Sequence, residues 1–316
     1  MRRVGQTELD DRVLVAGAGA VGSVLGGLLA RAGSSVTLLG RRPHLEAIRA
    51  NGLVLDGLFG SHRVTDLDCV GEAAALRGPY ATVLLTVKSY DTAAMAALVA
   101  PHLAAGGLLL VLQNGLGNLE TAARAVGADR VLGARVIFGA EVLAPGRVQV
   151  TVYAEPVLIG SLPPDDGRLR AEAARWAARL AAAGIPAAPT DALLAELWAK
   201  VLYSAALNPL GALLGLTYGQ LAAEPDARAI MDAVIEEAFA VARAEGVALR
   251  WPTAAAYRET FYGRLVPATA GHRSSMLQDL ERGRPTEIDA ISGQVAARGA
   301  THGVPVPTNT TLARLV

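Results

Sequence analysis

Short runs of continuous apolar residues, separated by glycine-rich or polar sequence, dominate the first part of the chain. Arg12–Ala16 (RVLVA) reads as a strand, followed by a glycine-rich turn and an apolar helix through about Ala32. Gly33 stands where a helix C-cap is expected. Ser35–Leu39 (SVTLL), Thr82–Val87 (TVLLTV) and Leu108–Leu112 (LLLVL) read as further strands. Runs that are apolar on both faces and alternate with helices describe a parallel sheet covered on both sides, a doubly wound α/β arrangement.

After Gly115 the alternation weakens. Val148–Val152 and Pro156–Ile159 look like strands, with the turn signal Pro145-Gly146 just before them, and Arg168–Ala183 reads as a helix closed by Gly184. From about Thr190 the periodicity is helical only, over Asp191–Leu207, Asp226–Glu245, Ser274–Arg282 and Ile288–Ala300. Pro209 is expected to kink or end the first of these and to hold Asn208 away from the α region. The punctuation by Gly184, Pro186 and Pro189 places a domain boundary near 184–191. The expected organisation is a polar extension over 1–11, an α/β domain over 12–188 and an all-helical domain over 189–316.

Composition narrows the function classes. Of 316 residues 52% are hydrophobic and 18% charged, which suits packed domains rather than disorder. Formal net charge is zero and the basic residues are scattered, so neither nucleic acid nor an anionic membrane is an expected partner. No uninterrupted apolar run approaches the ~18 residues of a membrane span, and Met1–Asp11 lacks the apolar centre of a signal peptide. The one cysteine, Cys69, suits a reducing cytoplasm and reads as a small half-buried residue. The five histidines form no metal-ligand spacing and no Ser-His-Asp set, so no metal is expected.

Gly17-Ala18-Gly19-Ala20-Val21-Gly22 matches G-x-G-x-x-G between a strand and an apolar helix. With 34 glycines in the chain the pattern alone is weak, and its position makes it specific. The first glycine permits the tight turn, the second admits a pyrophosphate to the backbone, and the third allows close helix–strand packing. The helix N-terminus adds free N–H groups and partial positive charge. The α/β domain is therefore expected to be a Rossmann-type dinucleotide-binding fold. At the end of the second strand, where an NAD site carries an acid, the chain has Gly40-Arg41-Arg42. A guanidinium pairs with a 2′-phosphate, so NADP is expected, with Arg41 as its contact and Arg42 as a solvated charge.

In an open parallel sheet ligands sit beyond the carboxyl ends of the strands. Lys88 and Asn114 follow two such ends. Lys88 reads as a cofactor or carboxylate contact or as a surface lysine, and Asn114 as a ligand contact or as a turn former before Gly115. Ketone reduction needs a hydride and a proton. Lys200, Ser204 and Asn208, spaced i, i+4, i+8, drift by only about 40° per step and share one helix face. Apolar neighbours would desolvate Lys200 and favour it as an acid; the alternative is a snorkelling surface lysine. Thr286-Glu287-Ile288-Asp289 fits a capping-box variant, which would make Glu287 a first-turn carboxylate. Of Ser274 and Ser275, one is expected to cap a helix and the other to face ligand.

Together these segments resemble the ketopantoate reductase (2-dehydropantoate 2-reductase) family from about Arg12 to Leu315. The likeness is carried by GAGAVGS at 17–23, Arg41, TVKSYDT at 86–92, LQNGLGN at 112–118, AKVLYSAALNPL at 199–210, SSMLQDLERGRPTEID at 274–289 and GVPVPTN at 303–309. The resemblance implies NADPH-dependent reduction of ketopantoate to (R)-pantoate, in pantothenate biosynthesis, at a site in the cleft between the two domains. It implies Lys200 as general acid and Glu287 as the acid that orders the site and contacts the substrate hydroxyl. Asn114, Ser204, Asn208 and Ser275 match substrate positions; Arg41, Lys88, Asn114, Ala140 and Glu287 match cofactor contacts. Ser204 departs from the asparagine that pantoate-forming members often carry there, which leaves another bulky 2-oxo acid open as substrate. A regulatory protein that binds NADP(H) without turnover is the remaining alternative, though it would need neither Lys200 nor Glu287. The oligomeric state stays open, a homodimer included.

Overall fold

The computed structural model describes residues 12–162 and 167–316. The polar extension expected over 1–11 lies outside the described residues. The chain divides into two compact units. The first takes residues through Gln113 together with Asn118–Leu193; the second takes Asn114–Gly117 and Leu194–Val316.

The first unit is built on an eight-stranded sheet. In chain order its elements are β1 (Arg12–Ala16), α1 (Ala20–Arg31), β2 (Ser35–Leu39), α2 (Arg42–Asn51), β3 (Leu53–Gly57), β4 (His62–Val64), β5 (Asp68–Val70), β6 (Tyr80–Leu85), α3 (Thr92–Val99) and β7 (Leu103–Val111). Then come α4 (Asn118–Val126), β8 (Val131–Arg135), β9 (Phe138–Ala144), β10 (Arg147–Tyr153), β11 (Val157–Gly160), α5 (Arg168–Ala182) and β12 (Ala187–Pro189). The sheet order is β12-β11-β8-β7-β6-β1-β2-β5. All neighbours from β5 to β8 pair in parallel, whereas β11 pairs antiparallel with β8 and β12 runs parallel to β11. From β5, which lies beside β2, the chain crosses to the other side of β1 to form β6, so the strand order reverses between β1 and β6. That reversal is the switch point at which such sheets bind ligands.

A second sheet, β4-β3-β10-β9, uses strands for which the pattern of the sequence gives little warning. Its strand β10 was expected from Val148–Val152, but its parallel pairing with β3, about ninety positions away in the register Arg147↔Val54, was not. Helix α1 lies between the two sheets. An added Cβ at Gly26 would meet Leu38 Cδ2 at 2.6 Å, and one at Gly27 would meet Leu53 Cδ2 at 2.8 Å. Paired glycines thus let the helix sit close to both layers. Val13, Val15, Leu25, Leu28, Leu53, Leu55, Val148 and Val150 join in one core.

Among its described residues the second unit contains helices joined by loops, and no strand. It contains α6 (Leu193–Leu214, its first residue grouped with the first unit), α7 (Tyr218–Ala223), α8 (Pro225–Ala244) and α9 (Ala254–Thr260). A π-helical turn at Phe261–Leu265 leads from α9 into α10 (Val266–Ala268), and α11 (Ser275–Glu281), α12 (Ser292–His302) and α13 (Pro307–Leu315) complete it. Among the described residues α6 alone has the length and composition of a membrane span, but Trp198, Val201, Leu202 and Ala205 to Leu207 are at most 1% exposed. It is a core helix.

Three expectations are corrected. Pro209 does not end α6: the helix continues to Leu214 with Asn208 inside it. The lost ladder bond and the clash cost about 3 kcal/mol in an exposed helix, and burial of Ala205, Ala206, Leu207 and Leu210 opposes that cost. The helix expected over Ile288–Ala300 is instead a 3₁₀ turn, Ile288–Ala290, and then α12, broken at Ile291 with φ −106° and ψ −96°. Strand β6 ends at Leu85, two residues earlier than expected. Thr86 leaves the strand to donate its hydroxyl to the Gly17 carbonyl at 2.8 Å.

Candidate active site

The loop after β1 is shaped by its glycines. Gly17 has φ +116°, and a Cβ there would lie 2.6 Å from the Val87 nitrogen. Its N–H and that of Ala18 both donate to the Leu39 carbonyl, at 3.0 and 2.8 Å, which ties the loop to the end of β2. Gly22 sits on the Gly17 carbonyl, 2.2 Å from where its Cβ would be. Gly19 is different: it is the N-cap of α1, offers no side-chain cap, and has no heavy atom within 4 Å of a Cβ position. The first N–H groups of a helix have no partner within it, so here a bare helix N-terminus opens on free space. A pyrophosphate fits such a cradle, and a side chain at 19 would fill it.

The other residues matched to a cofactor are distributed as follows. Ala18 is buried, while Ala20 and Val21 are half-buried in the first turn of α1. Arg41 is exposed and stands at the N-cap of α2, directly after Gly40, whose Cβ would touch Ala18. Arg42 pairs with Glu72 on the surface. Lys88, half-buried, precedes the 3₁₀ turn Ser89–Asp91 beyond β6. The glycine loop, Arg41 and Lys88 therefore follow the carboxyl ends of β1, β2 and β6, three adjacent strands at the switch point. Ala140 is half-buried on β9, paired with Val150, and β9 packs on α1.

His44, for which the sequence suggests no role, is buried one turn into α2. Its Nδ1 accepts from the Gly146 N–H at 3.1 Å. The proton is therefore on Nε2, which donates to Ser23 Oγ at 3.0 Å. Burial, and then the Arg41 guanidinium, hold its pKa below the ordinary histidine value.

In the helical unit, Lys200 Nζ donates to Asn114 Oδ1 at 2.5 Å. The same amide turns its Nδ2 toward Glu287 Oε2 at 3.5 Å. Lys200 comes from the middle of α6, where Leu197, Val201 and Leu202 are buried around it. Asn114 is delivered by the loop 114–117. Gly115, at φ +86°, rests on Ala290, with 2.2 Å between a hypothetical Cβ and that carbonyl oxygen, and Leu116 N–H donates to the same oxygen at 2.8 Å. Glu287, 8% exposed, precedes the 3₁₀ turn. The capping box is not formed: Thr286 Oγ1 accepts from the Ile288 N–H at 3.3 Å, and Glu287 is no first-turn residue of α12. Its carboxylate faces Asn114 instead.

Ser204 is half-buried one turn beyond Lys200. Asn208 is buried, and its Oδ1 accepts from the Tyr218 hydroxyl at 2.7 Å. Burial, with a smaller contribution from Tyr203, raises the Tyr218 pKa far above the usual phenol, so it stays a donor. The Asn208 amide is thus fixed with Nδ2 as the group left to address a ligand oxygen. Tyr203 bonds Thr269 at 2.6 Å, and burial pushes its pKa up to about 12 against the opposing effect of that bond. Tyr218 carries no motif in the sequence and is marked only by its bond to Asn208, and Tyr203 packs edge-on against it. Ser274, fully buried, caps α11 by accepting from the Leu277 N–H, and Ser275 is the exposed hydroxyl.

Comparison with known proteins settles what this assembly is related to. Residues 13–164 match the family model "Ketopantoate reductase PanE/ApbA", and residues 192–316 match its C-terminal counterpart. The chain belongs to the ketopantoate reductase family. A 2-dehydropantoate 2-reductase of Aquifex aeolicus is 35% identical over 308 residues, 96% of each chain. A crystal structure of a PanE/ApbA family ketopantoate reductase from Ralstonia eutropha JMP134 is 37% identical with TM-score 0.85, covering 96% of each chain. A ternary structure of D-mandelate dehydrogenase with NADH and anilino(oxo)acetate is 25% identical with TM-score 0.86, again over 96% of each chain. Members of the ketopantoate reductase family thus share both units of this chain, the sheet unit and the helical one.

Proposed function

We propose that this protein is a cytoplasmic NADPH-dependent reductase of a 2-oxo acid, with ketopantoate as the substrate and pantoate as the product. The observation that carries the reading is the chain Lys200–Asn114–Glu287, in which an ammonium, an amide and a carboxylate meet in one unit. A bound nicotinamide supplies the hydride. Reduction at C2 leaves negative charge on the former carbonyl oxygen, and a nearby ammonium both stabilises that charge and gives up the proton. Lys200 fills that role. Asn114, by accepting from Nζ, fixes where the ammonium points. Glu287 holds the other end of the amide and accepts from the product hydroxyl. Asn208, with Oδ1 taken by Tyr218, donates from Nδ2 to a substrate oxygen, and the exposed Ser275 hydroxyl addresses the carboxylate.

The cofactor assignment rests on the cradle at Gly17–Gly22 and on the exposed Arg41 beyond β2. The residue there is a cation and not the acid of an NAD site, which favours a 2′-phosphate. Lys88, beyond the end of β6 on the other side of β1, is the second cation assigned to the cofactor.

A second reading, reduction of a bulkier 2-oxo acid, is favoured by Ser204, shorter than the asparagine of pantoate-forming relatives, and by the likeness to D-mandelate dehydrogenase. Steady-state oxidation of NADPH and NADH against a panel of branched and aromatic 2-oxo acids separates the two readings. In the same assay Lys200→Ala should lower kcat by about 10²–10⁴-fold with NADPH binding kept. An unchanged rate would remove Lys200 from the mechanism.

A further inference from the structure

We propose that Thr92 is a positioning residue for the Asn114 amide, because its hydroxyl ties together the two ends of the loop that carries Asn114. Thr92 is the first residue of α3 and is 2% exposed. Its Oγ1 accepts from Gln113 Nε2 at 2.6 Å and donates to Asn118 Oδ1 at 2.9 Å. The direction is forced: the amide nitrogen of Gln113 can only donate, so the hydroxyl's one proton goes to the Asn118 oxygen. Gln113 and Asn118 are buried and are the residues immediately before and after the segment Asn114–Gly117.

The choice of glutamine at 113 supports a geometric role. Its Oε1 is buried and finds no hydrogen-bond partner among the described residues. A stranded buried amide oxygen is destabilising, so packing alone would favour an apolar side chain of the same length. What glutamine adds is the donor to Thr92. The loop between the clamped ends has no slack either. Gly115 rests on the Ala290 carbonyl, and Gly117, at φ +82°, rests on the Gln294 side chain, 2.9 Å from a hypothetical Cβ. With both ends held and the middle seated, the root of the Asn114 side chain is fixed, and with it the oxygen that receives Lys200.

This inference rests on the role given to Lys200 and Asn114 above, and the test keeps the two apart. Steady-state kinetics with ketopantoate and NADPH are measured for Thr92→Val, Thr92→Ser and Gln113→Met, each alone and combined with Asn114→Ala. Thr92→Val and Gln113→Met should each lower kcat by about tenfold, since small misplacement of a reacting group costs up to about 10²-fold. Thr92→Ser, which keeps the hydroxyl, should recover activity to within about twofold, and NADPH affinity should stay within about twofold in the variants that keep Asn114. In the Asn114→Ala background neither substitution should lower kcat further.

Full activity in Thr92→Val or Gln113→Met, with Asn114→Ala impaired, overturns the clamp and leaves the site reading intact. A tenfold loss that persists in the Asn114→Ala background also overturns it, because Thr92 then acts elsewhere. Full activity in Asn114→Ala overturns the site reading, and the clamp with it. If Thr92→Val does not fold, Gln113→Met decides, since it removes the stranded oxygen together with the donor; unfolding of both, seen by circular dichroism, overturns the proposal in favour of a folding role.

Discussion

Replacing Gly22 with alanine adds one methyl group at the most crowded point of the loop between β1 and α1. The new Cβ would stand 2.2 Å from the Gly17 carbonyl oxygen and 2.7 Å from Thr86 Oγ1, against a comfortable separation of about 3.5 Å. Two responses are open. Helix α1 retreats from β1 by roughly 1 Å, loosening the packing of Gly26 and Gly27 against both sheets, or the Gly17 carbonyl swings out and loses the Thr86 hydroxyl. Overpacking of this kind costs about 1–3 kcal/mol. If the first unit unfolds by itself, at its size of roughly 150–250 residues that is a fall in Tm of roughly 2–12 °C. Gly19→Ala provides the contrast. Nothing lies within 4 Å of its added methyl and its φ of −85° suits any residue, so the fold should lose only the weak cap preference, about 1–2 °C in Tm. That methyl fills the space before the helix N-terminus, so the rise in Tm on adding NADPH should vanish in Gly19→Ala. Calorimetry of both variants with and without NADPH reads all four quantities. A wild-type Tm for unliganded Gly22→Ala would refute the packing argument, and a wild-type NADPH response in Gly19→Ala would refute the phosphate cradle.

Other outcomes follow from the same geometry. Arg41→Ala should weaken NADPH binding by about 10–150-fold, the loss of a charge-assisted contact of about 1.5–3 kcal/mol, and leave NADH nearly unchanged; fluorescence titration with both cofactors checks it. Tyr218→Phe strands the buried Asn208 Oδ1, which should cost about 1–3 kcal/mol in urea unfolding and free the amide to flip, raising KM for the 2-oxo acid more than it lowers kcat. His44 has its folded pKa lowered below the ordinary value of 6.5. Above that value both folded and unfolded chains carry it neutral. Below it the unfolded chain takes up a proton that the folded one resists, so stability falls with acid. Urea midpoints at pH 7.5 and 5.5 should show that loss, and His44→Gln should reduce the difference between them; equal differences would exclude His44 as the cause.

Much of the sheet unit was legible from the chain because its signals are local. Strands β1 and β2 begin and end where the apolar runs do, and the glycine loop is a constraint among six consecutive residues. Arg41 could be read because its position follows from where β2 stops. The helix N-cap at Ser274 or Ser275 was narrowed to two residues, since capping depends on the nearest turn alone, and the burial of Ser274 decided between them. For Glu287 the expected first-turn position in a longer helix is not formed, and its carboxylate faces Asn114, a contact that spans 173 positions.

What the sequence determined by itself is the path of the backbone wherever neighbours along the chain set it: the glycine turn, the alternation of strands and helices, and the change to helices alone in the later part. What only the tertiary structure decided is where distant residues meet. Lys200 and Asn114 are 86 positions apart and Asn114 and Glu287 are 173 apart, so no periodicity could pair them. The same holds for the second sheet, whose central pairing joins β3 to β10. Pro209 shows the reason most directly. Its local preference is to stop the helix, and a row of buried side chains keeps the helix going. Local rules act through a few dihedral angles, while burial sums over a whole face, and where the two conflict in this protein the face prevails.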